Sequence, residues 1–298
     1  MYIYEKIKDK LSRLYMTAKC KAVGLSYQHQ LGFYIKVTNG SISTIKLSNF
    51  EERNESVEFL IRSALDEFGA TDLGWTFICT DDVPYNSTSR VSYRTCSVSL
   101  GDADYGMPDF LFHRWQAVGI SDFFSAAHSL HALSLVPAEL NKVGWRGAAT
   151  HPNRDLLVSF VGDYFDLSYV QHADYPANGV SPKFISLEES IRRWSWLVDV
   201  EGRGYSARVK LLLASGRPLV LVDRPYIEWY VPEFTAGTHY IRASRDLNDF
   251  REKVEWLAMH PDAAQTIGKN AAELSKELFS KKAVLSQVYK SLYKCDKY

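Results

Sequence analysis

Residues 198–223 restrict the fold of this chain more than any other segment. They contain a polar loop with two glycines (DVEGRGY), a helical stretch (SARVKLLLAS), Gly216 as a helix cap and an apolar strand (PLVLVD). Helices that lead into short buried strands are typical of proteins in which helices cover a sheet. The segment therefore predicts an α/β fold.

The rest of the chain shows the same alternation of helical and strand-like stretches. Apolar residues at helical spacing predict helices over 2–16, 54–68, 186–197, 206–215, 246–258 and 262–293. Short apolar runs predict strands over 75–80, 95–100, 218–223 and 238–242, and a hairpin within 32–47 that turns at Asn39 and Gly40. These elements fit two α/β units divided near 138–142, with a ligand cleft between them.

Net charge and hydropathy argue against a nucleic-acid partner and against a membrane-spanning segment. The chain has 298 residues with 35 Lys and Arg against 35 Asp and Glu, and a net charge of zero argues against a broad nucleic-acid surface. The first residues, MYIYEKIKDKLSRLY, are charged throughout, and no apolar run reaches the roughly 20 residues that span a bilayer. We therefore expect a cytoplasmic protein that binds no nucleic acid and meets a membrane only through a substrate.

Residues 201–210 (EGRGYSARVK) have the chemistry of a phosphate-binding loop. Gly202 and Gly204 let the backbone approach a phosphate closely, and a helix that starts near Ser206 offers unpaired N–H groups. The hydroxyl of Ser206 and the guanidinium of Arg208 add further donors. A glycine-rich turn with a surface arginine has the same pattern, so the segment alone leaves both interpretations open.

A second cluster lies at residues 145–155 (WRGAATHPNRD). Arg146 and Arg154 flank a turn after a predicted strand, and two or three arginines neutralise the charge of a nucleotide diphosphate. The other interpretation is a surface loop in which Arg154 pairs with its neighbour Asp155. The spacing alone does not decide between the two.

Two carboxylate pairs are also candidates. Asp81 and Asp82 follow the buried strand over 75–80, at the strand end where open α/β sheets bind ligands, so one of them can act as a general base; an exposed turn is the alternative. Asp102 and Asp104 match the D-x-D pattern of metal-dependent transferases, but the flanking glycines in GDADYG favour a solvated turn. We assign no metal site. The chain has no P-loop, nucleophile elbow or dinucleotide motif, so a hydrolase or NTPase has no support.

Taken in order, these segments resemble glycosyltransferase family 90, which includes protein O-glucosyltransferases, fungal capsule xylosyltransferases and bacterial lipopolysaccharide-modifying enzymes. The likeness rests on residues 145–155, 201–220 and 227–241 (IEWYVPEFTAGTHYI), with a shorter match at 77–84 (FICTDDVP). It spans about residues 75–275.

The resemblance implies a GT-B arrangement, in which two Rossmann-like domains face a cleft. It divides the chain into an acceptor-side domain (1–140), a donor-binding domain (141–275) and a C-terminal helix (276–298) that packs back on the first domain. It also implies inverting sugar transfer from a UDP-sugar without a metal or other cofactor.

By position, the resemblance gives Asp82 the role of catalytic base, with Asp81 as the alternative. The donor contacts fall on Arg146, Thr150, Arg154, Gly202, Gly204, Ser206, Arg208, Glu228 and His239. The chain departs from the better-known animal enzymes at Asp81 and Glu201, where those enzymes carry basic residues.

We identify neither the secretory signal nor the retention tail of those animal enzymes, so we expect a bacterial type of enzyme. We expect a glucose- or xylose-type sugar to pass to a hydroxyl of a glycan or lipid-linked glycan, in lipopolysaccharide or capsule synthesis, in the cytoplasm or at the periphery of the inner membrane. The alternative is a non-catalytic nucleotide- or glycan-binding protein on the same fold.

Overall fold

The computed structural model describes residues 32–46, 51–81, 92–171 and 185–293. The predicted helix over 2–16 and the predicted base Asp82 lie outside the described residues. Statements about structure below refer to the described ranges.

The first sheet has four strands, which are β1 (Gly32–Thr38), β2 (Ser41–Lys46), β3 (Leu73–Cys79) and β4 (Ser92–Thr95). Their order is β2-β1-β3-β4; β1 pairs antiparallel with β2 and β3, and β3 pairs parallel with β4. Asn39 and Gly40 have φ angles of 49° and 75°. Positive φ at both central residues is what a type I′ turn needs, so the predicted hairpin is confirmed.

The second sheet has five strands, which are β5 (Leu140–Gly147), β6 (Phe165–Tyr169), β7 (Trp194–Asp199), β8 (Leu219–Val222) and β9 (Ile241–Ala243). Their order is β6-β5-β7-β8-β9, and every neighbouring pair is parallel. All five carboxyl ends therefore meet at one edge of the sheet, which is the usual ligand edge of such a sheet.

Eight α-helices accompany the sheets within the described ranges. They are α1 (Glu51–Phe68), α2 (Phe123–Ser134), α3 (Pro152–Val158), α4 (Leu187–Arg193), α5 (Val209–Ser215), α6 (Phe250–Met259), α7 (Pro261–Leu278) and α8 (Lys281–Tyr293). None of these helices is long and apolar enough to cross a membrane. The predicted α/β class is confirmed, since helices pack on both sheets.

The second sheet is buried on both faces. Trp145 and Val198 on one face pack with Val254 of α6. On the other face, Leu197 and Leu221 belong to a core cluster that continues into the first sheet and α1. This continuous apolar cluster holds the two sheets together, because apolar area removed from water stabilises at about 25 cal/mol per Å².

The C-terminal helix α8 packs on the first unit, as predicted. The rings of Phe68 and Tyr289 lie 5.6 Å apart. Arg94 of β4 donates hydrogen bonds to the carbonyl oxygens of Ser291 and Leu292, the second at 2.7 Å. The guanidinium thereby satisfies carbonyls that the end of α8 leaves without a partner in the helix.

The prediction of one helix over 262–293 is wrong at one point, because the helix is interrupted at Phe279 and Ser280. The ring of Phe279 is buried and lies 4.8 Å from the ring of Tyr230 and 5.5 Å from that of Phe112. The hydroxyl of Ser280 accepts a hydrogen bond from the backbone N–H of Ala283 at 3.3 Å. Insertion of the ring and this cap together account for the break.

Other boundaries also differ from the prediction, and three of these differences have a physical cause in the structure. The helix predicted over 186–197 ends at Arg193, because buried Trp194 and Leu197 continue as β7 inside the sheet. The strand predicted over 95–100 is β4, which ends at Thr95; Val98 pairs with Ile227 outside the sheet. The helix predicted to begin at residue 206 begins at Val209, because the side chains of Ser206 and Arg208 are hydrogen-bonded to Asp199.

Candidate functional site

A cavity of about 530 Å³ opens at the carboxyl ends of β8 and β9. Its walls come from the loop before α5, from the chain after β8 and from the end of β9. The lining residues used below are Tyr205, Ser206, Arg224, Glu228, Tyr230, Arg242 and Arg245. The volume lies within the range of small-molecule sites, and the position is the ligand edge of a parallel sheet.

Asp199 lies beside this cavity, and its carboxylate holds three neighbouring side chains in place. It is the last residue of β7 and is 0% exposed. Its carboxylate accepts hydrogen bonds from Ser206 Oγ at 2.9 Å, from Arg208 Nε at 2.8 Å and from Arg224 Nη1 at 2.7 Å. Burial alone would raise the pKa of Asp199, but the charges of Arg224 and Arg208 outweigh burial and hold the pKa below its usual value.

Asp199 therefore fixes the loop predicted to bind phosphate. Ser206 and Arg208 are tied to the end of β7, so the backbone between them turns instead of entering the helix. Arg208 Nη1 also donates to the carbonyl of Arg146 at 2.8 Å. Arg208 Nη2 is buried and makes no hydrogen bond with the described residues, so it is an available donor beside the loop.

Thr150, Arg154 and Gly202 meet as predicted for one site. Arg154 Nε donates to the carbonyl of Glu201 at 3.0 Å, and its Nη1 donates to the carbonyl of Ala148 at 2.8 Å. A Cβ on Gly202 would lie 3.1 Å from Arg154 Nη2 and 3.3 Å from Thr150 Oγ1. A Cβ at this position would therefore displace one of these two side chains by a few tenths of an ångström. Gly204 is buried in the same loop.

Arg146 and His239 lie outside this cluster. The Arg146 guanidinium faces Asp166 of β6, with Nη2 2.5 Å from the carboxylate oxygen, and lies over the ring of Trp194. His239 Nδ1 accepts a hydrogen bond from the backbone N–H of Thr235 at 2.9 Å. Neither side chain lines the cavity; of the predicted donor contacts, Ser206 and Glu228 line it.

Glu228 is the second predicted residue on the cavity wall, after Ser206. It is 1% exposed, lies 2.8 Å from Lys210 Nζ and accepts a hydrogen bond from the Tyr230 hydroxyl at 2.7 Å. Burial raises the pKa of Glu228 to about 8, the charge of Lys210 opposes this shift and the charge of Asp109 adds to it.

Asp81 lies across from the loop, just after β3. It is 1% exposed, and its Oδ1 lies 3.4 Å from Arg53 Nη1 and 3.2 Å from Arg203 Nη2. Arg203 belongs to the loop between Gly202 and Gly204, so this ion pair joins the end of a first-sheet strand to the predicted phosphate loop.

Asp102 and Asp104, the two aspartates of the D-x-D pattern, contact different residues. They stand in a 3-10 helix over Leu100–Tyr105. Asp102 accepts a hydrogen bond from the Ser99 hydroxyl at 2.8 Å, and Asp104 lies 3.3 Å from Lys290 Nζ. Within the described ranges, His, Cys, Asp and Glu side chains form no group of three or more that could hold a metal ion.

Sequence analysis did not find several charged residues that line the cavity or lie beside it. Asp199, Arg224, Arg242 and Arg245 were not predicted, although the first two directly follow or end apolar runs (WSWLVD and PLVLVD). Polar residues at the carboxyl ends of parallel strands are the available signal. For Asp199 this signal was missed, because the helix predicted over 186–197 included residues that form β7, so the end of that strand was not recognised.

The family Glyco_transf_90, described as Glycosyl transferase family 90, matches residues 15–294. This match covers most of the chain, and the chain belongs to glycosyl transferase family 90.

Curated relatives are more distant. O-glucosyltransferase LpsA of Dichelobacter nodosus is 26% identical over 140 residues, which is 46% of this chain and 43% of that protein. Protein O-glucosyltransferase 3 of Homo sapiens is 24% identical over 102 residues, 34% of this chain and 20% of that protein. Each alignment therefore spans less than half the length of the relative.

Solved structures show a weaker likeness. The Anabaena HepE protein in complex with UDP-glucose has a TM-score of 0.41 at 10% identity, covering 80% of this chain and 77% of that chain. Sucrose-phosphate synthase from Thermosynechococcus elongatus has a TM-score of 0.40 at 14% identity, covering 69% of this chain and 54% of that chain. At these scores the likeness carries no argument about function.

Proposed function

We propose that this chain is a glycosyltransferase that moves a sugar from a UDP-sugar to a hydroxyl group of a glycan acceptor. The observation that carries the proposal is the buried Asp199, which binds Ser206 and Arg224 on the wall of a 530 Å³ cavity at the ligand edge of the parallel sheet and also binds Arg208. Membership of glycosyl transferase family 90 supports sugar transfer as the reaction. The relatives named O-glucosyltransferases make glucose the first donor sugar to test.

The proposed reaction inverts the anomeric carbon in one displacement. Asp82 accepts the proton of the acceptor hydroxyl, the hydroxyl oxygen bonds to the anomeric carbon, and the bond from that carbon to UDP breaks. Arg154, Arg208 and the 202–206 loop stabilise the charge of the departing diphosphate, and we propose that this is sufficient without a metal ion. Arg208 Nη2 supports this role, because it has no hydrogen-bond partner among the described residues.

Asp81 serves a different purpose in this proposal. Its side chain is almost completely buried and one oxygen lies beside two guanidinium groups, so an acceptor hydroxyl has little access to it. We propose that it positions the neighbouring Asp82 and the loop that carries Arg203.

The matched pair Asp82→Asn and Asp81→Asn tests this division of roles. Asp82→Asn should lower kcat by about 10²–10⁴-fold, because it removes the general base, and should leave the donor Kd nearly unchanged. Asp81→Asn should mainly lower the melting temperature and should leave kcat much closer to the wild-type value than Asp82→Asn does. The assignment is wrong if Asp82→Asn keeps wild-type turnover, or if Asp81→Asn alone loses it.

A panel of UDP-sugars tests the donor. The cognate sugar should raise the melting temperature most, because a ligand stabilises the state that binds it. Turnover with that sugar should survive EDTA; loss of activity in EDTA and its return with a divalent ion would favour the D-x-D pair Asp102 and Asp104 instead. Binding without release of UDP in the presence of acceptors would identify a non-catalytic binding protein.

We extend the proposal to the acceptor and its place. The acceptor is a glycan or lipid-linked glycan of bacterial lipopolysaccharide or capsule synthesis, met in the cytoplasm or at the inner membrane. The resemblance to family members that modify lipopolysaccharide supports this choice. Transfer of labelled sugar from the cognate donor to extracted lipopolysaccharide, compared with transfer to protein substrates, tests it.

A further inference from the structure

A buried ionic cluster forms one wall of the cavity, and the proposed reaction uses little of it. Its members are Asp109, Tyr205, Lys210, Glu228 and Tyr230, each no more than 2% exposed. Buried charges of this kind are costly unless each one is paired. The contacts show that the pairing is complete around the ammonium group.

Lys210 is the centre of the cluster. Its Nζ lies 3.0 Å from Asp109 Oδ1, 2.8 Å from Glu228 Oε1 and 2.7 Å from the carbonyl oxygen of Ala207. An ammonium group has three N–H donors, and three acceptors surround it here. Through these contacts, Lys210 connects the loop before α5 to Glu228 on the cavity wall.

Asp109 comes from a distant part of the chain, between β4 and α2. Its Oδ1 caps the short 3-10 helix over Phe110–Phe112 by accepting a hydrogen bond from the Leu111 N–H at 3.0 Å. Its Oδ2 accepts a hydrogen bond from the Tyr205 hydroxyl at 2.8 Å. One carboxylate thus fixes both Lys210 and Tyr205, which stand on either side of Ser206 and Arg208.

We propose that Asp109 and Lys210 are positioning residues of the donor site: they hold the 205–208 loop and Glu228 in place and set the charge that this wall presents to the donor diphosphate. The inference rests on the proposed function, since it assumes that the cavity receives a UDP-sugar. It assigns roles to two residues outside the predicted donor contacts, one of them contributed from the first half of the chain.

The charge of the wall depends on the protonation of Glu228. Burial lowers the pKa of Lys210, but Asp109 and Glu228 outweigh it and raise the pKa, so the ammonium group stays charged. Burial raises the pKa of Glu228 to about 8, so at neutral pH Glu228 is mostly a neutral acid and Lys210 balances Asp109. Above about pH 8 the wall gains a negative charge, which repels a diphosphate.

Other groups face Glu228 and contribute constant charge over this pH range. Burial holds the pKa of Tyr230 well above its usual value, so its hydroxyl stays neutral. Asp199 is paired with Arg208 and Arg224. On the open side of the cavity, Arg242 pairs with Asp223, and Arg245 pairs with Glu201.

Asp109→Asn is the variant that tests the inference, measured by calorimetric titration with UDP-glucose from about pH 6 to about pH 9. The diphosphate charge of this probe is constant over that range. The wild-type protein should lose affinity above about pH 8. In Asp109→Asn the pH-dependent loss should begin at lower pH, because Asp109 no longer raises the pKa of Glu228. The variant wall carries one negative charge fewer, so the weakening by about tenfold that we expect at pH 7.5 comes from the lost contacts of Asp109 with Lys210 and Tyr205, which position the loop.

Two further variants complete the test. Asp122→Asn makes the same chemical change at the cap of α2, where Asn caps equally well, and should follow the wild-type curve. Glu228→Gln removes the titrating group and should flatten the pH dependence. Lys210→Met would leave two buried carboxylates without their cation and is expected to unfold, so it is not used.

The outcomes separate this inference from the proposed function. If wild-type protein binds UDP-glucose and the Asp109→Asn curve superimposes on the wild-type curve, the positioning role is wrong while the proposed function stands. If wild-type protein shows no binding at any pH, the proposed donor is wrong and the inference falls with it.

Discussion

Replacing Asp199 with Asn should destabilise the donor-binding half of the molecule. Asp199 is fully buried and its carboxylate meets two guanidinium groups and one hydroxyl. Asparagine keeps the size of the side chain but removes the charge, and its amide nitrogen is a donor only. At least one of Arg208 and Arg224 then faces a donor instead of an acceptor.

The size of the effect follows from burial. Removing one partner from a buried ion pair costs about 3–5 kcal/mol. The side chain of Arg224 is 5% exposed, whereas that of Arg208 is 25% exposed and regains some solvation. We therefore expect a loss near the lower end, about 3 kcal/mol in the free energy of unfolding. At roughly 2 °C per kcal/mol for a chain of this size, the melting temperature should fall by about 6 °C.

Urea denaturation followed by tryptophan fluorescence measures this change, since the chain has 7 Trp residues. The matched control is Asp223→Asn, which removes a carboxylate paired with Arg242 at the surface, where the Arg242 side chain is 64% exposed. The control should change stability far less, because solvent screens an exposed pair. Equal losses in the two variants would refute the role of Asp199 as a buried anchor.

The same carboxylate predicts a pH dependence. The pKa of Asp199 is lowered in the folded protein relative to about 3.9 in the unfolded chain, so its stabilising effect is complete above about pH 4. The effect declines as pH falls below 4 through the folded pKa. The stability difference between wild type and Asp199→Asn should therefore be constant at neutral pH and shrink in acid; a difference that grows below pH 4 would contradict the sign.

Two further substitutions test the core and the loop. Phe279→Ala removes a buried ring from the cluster with Phe112 and Tyr230 and should lower the free energy of unfolding by about 3–5 kcal/mol in urea denaturation. The control Met259→Ala changes a side chain that is 69% exposed and should lower it by almost nothing. Similar losses in the two variants would show that the ring does not hold the break between α7 and α8. Gly202→Ala places a Cβ 3.1 Å from Arg154 Nη2 and should weaken UDP-glucose binding by about tenfold, because Arg154 must move by a few tenths of an ångström; an unchanged Kd in calorimetry would separate Arg154 from the donor.

Local signals in the sequence predicted much of the fold. Gly216 ends α5 with a φ of 83°, and the hydroxyl of Ser186 accepts from the backbone N–H of Glu189 at 3.1 Å, as the cap patterns indicated. These features depend on residues within a few positions of one another. The end of the 186–197 helix was wrong because burial in the sheet, which is a tertiary effect, decides the conformation of Trp194 onward.

The site was predictable only in part. The family resemblance assigned Thr150, Arg154 and Gly202 to one donor site, and the structure brings these three together. The contact of Tyr205 with Asp109 joins residues 96 positions apart, and no local pattern encodes such a partner. Arg146 pairs with Asp166 on the neighbouring parallel strand, a choice set by the order of strands in the sheet.

A crystal structure of the protein grown with UDP-glucose tests the central claim most directly. The account predicts electron density for the diphosphate between the 202–208 loop and the cavity at the ends of β8 and β9, with hydrogen bonds from Arg208 Nη2 or the backbone of that loop. Density for the nucleotide at a site remote from this loop would contradict the account.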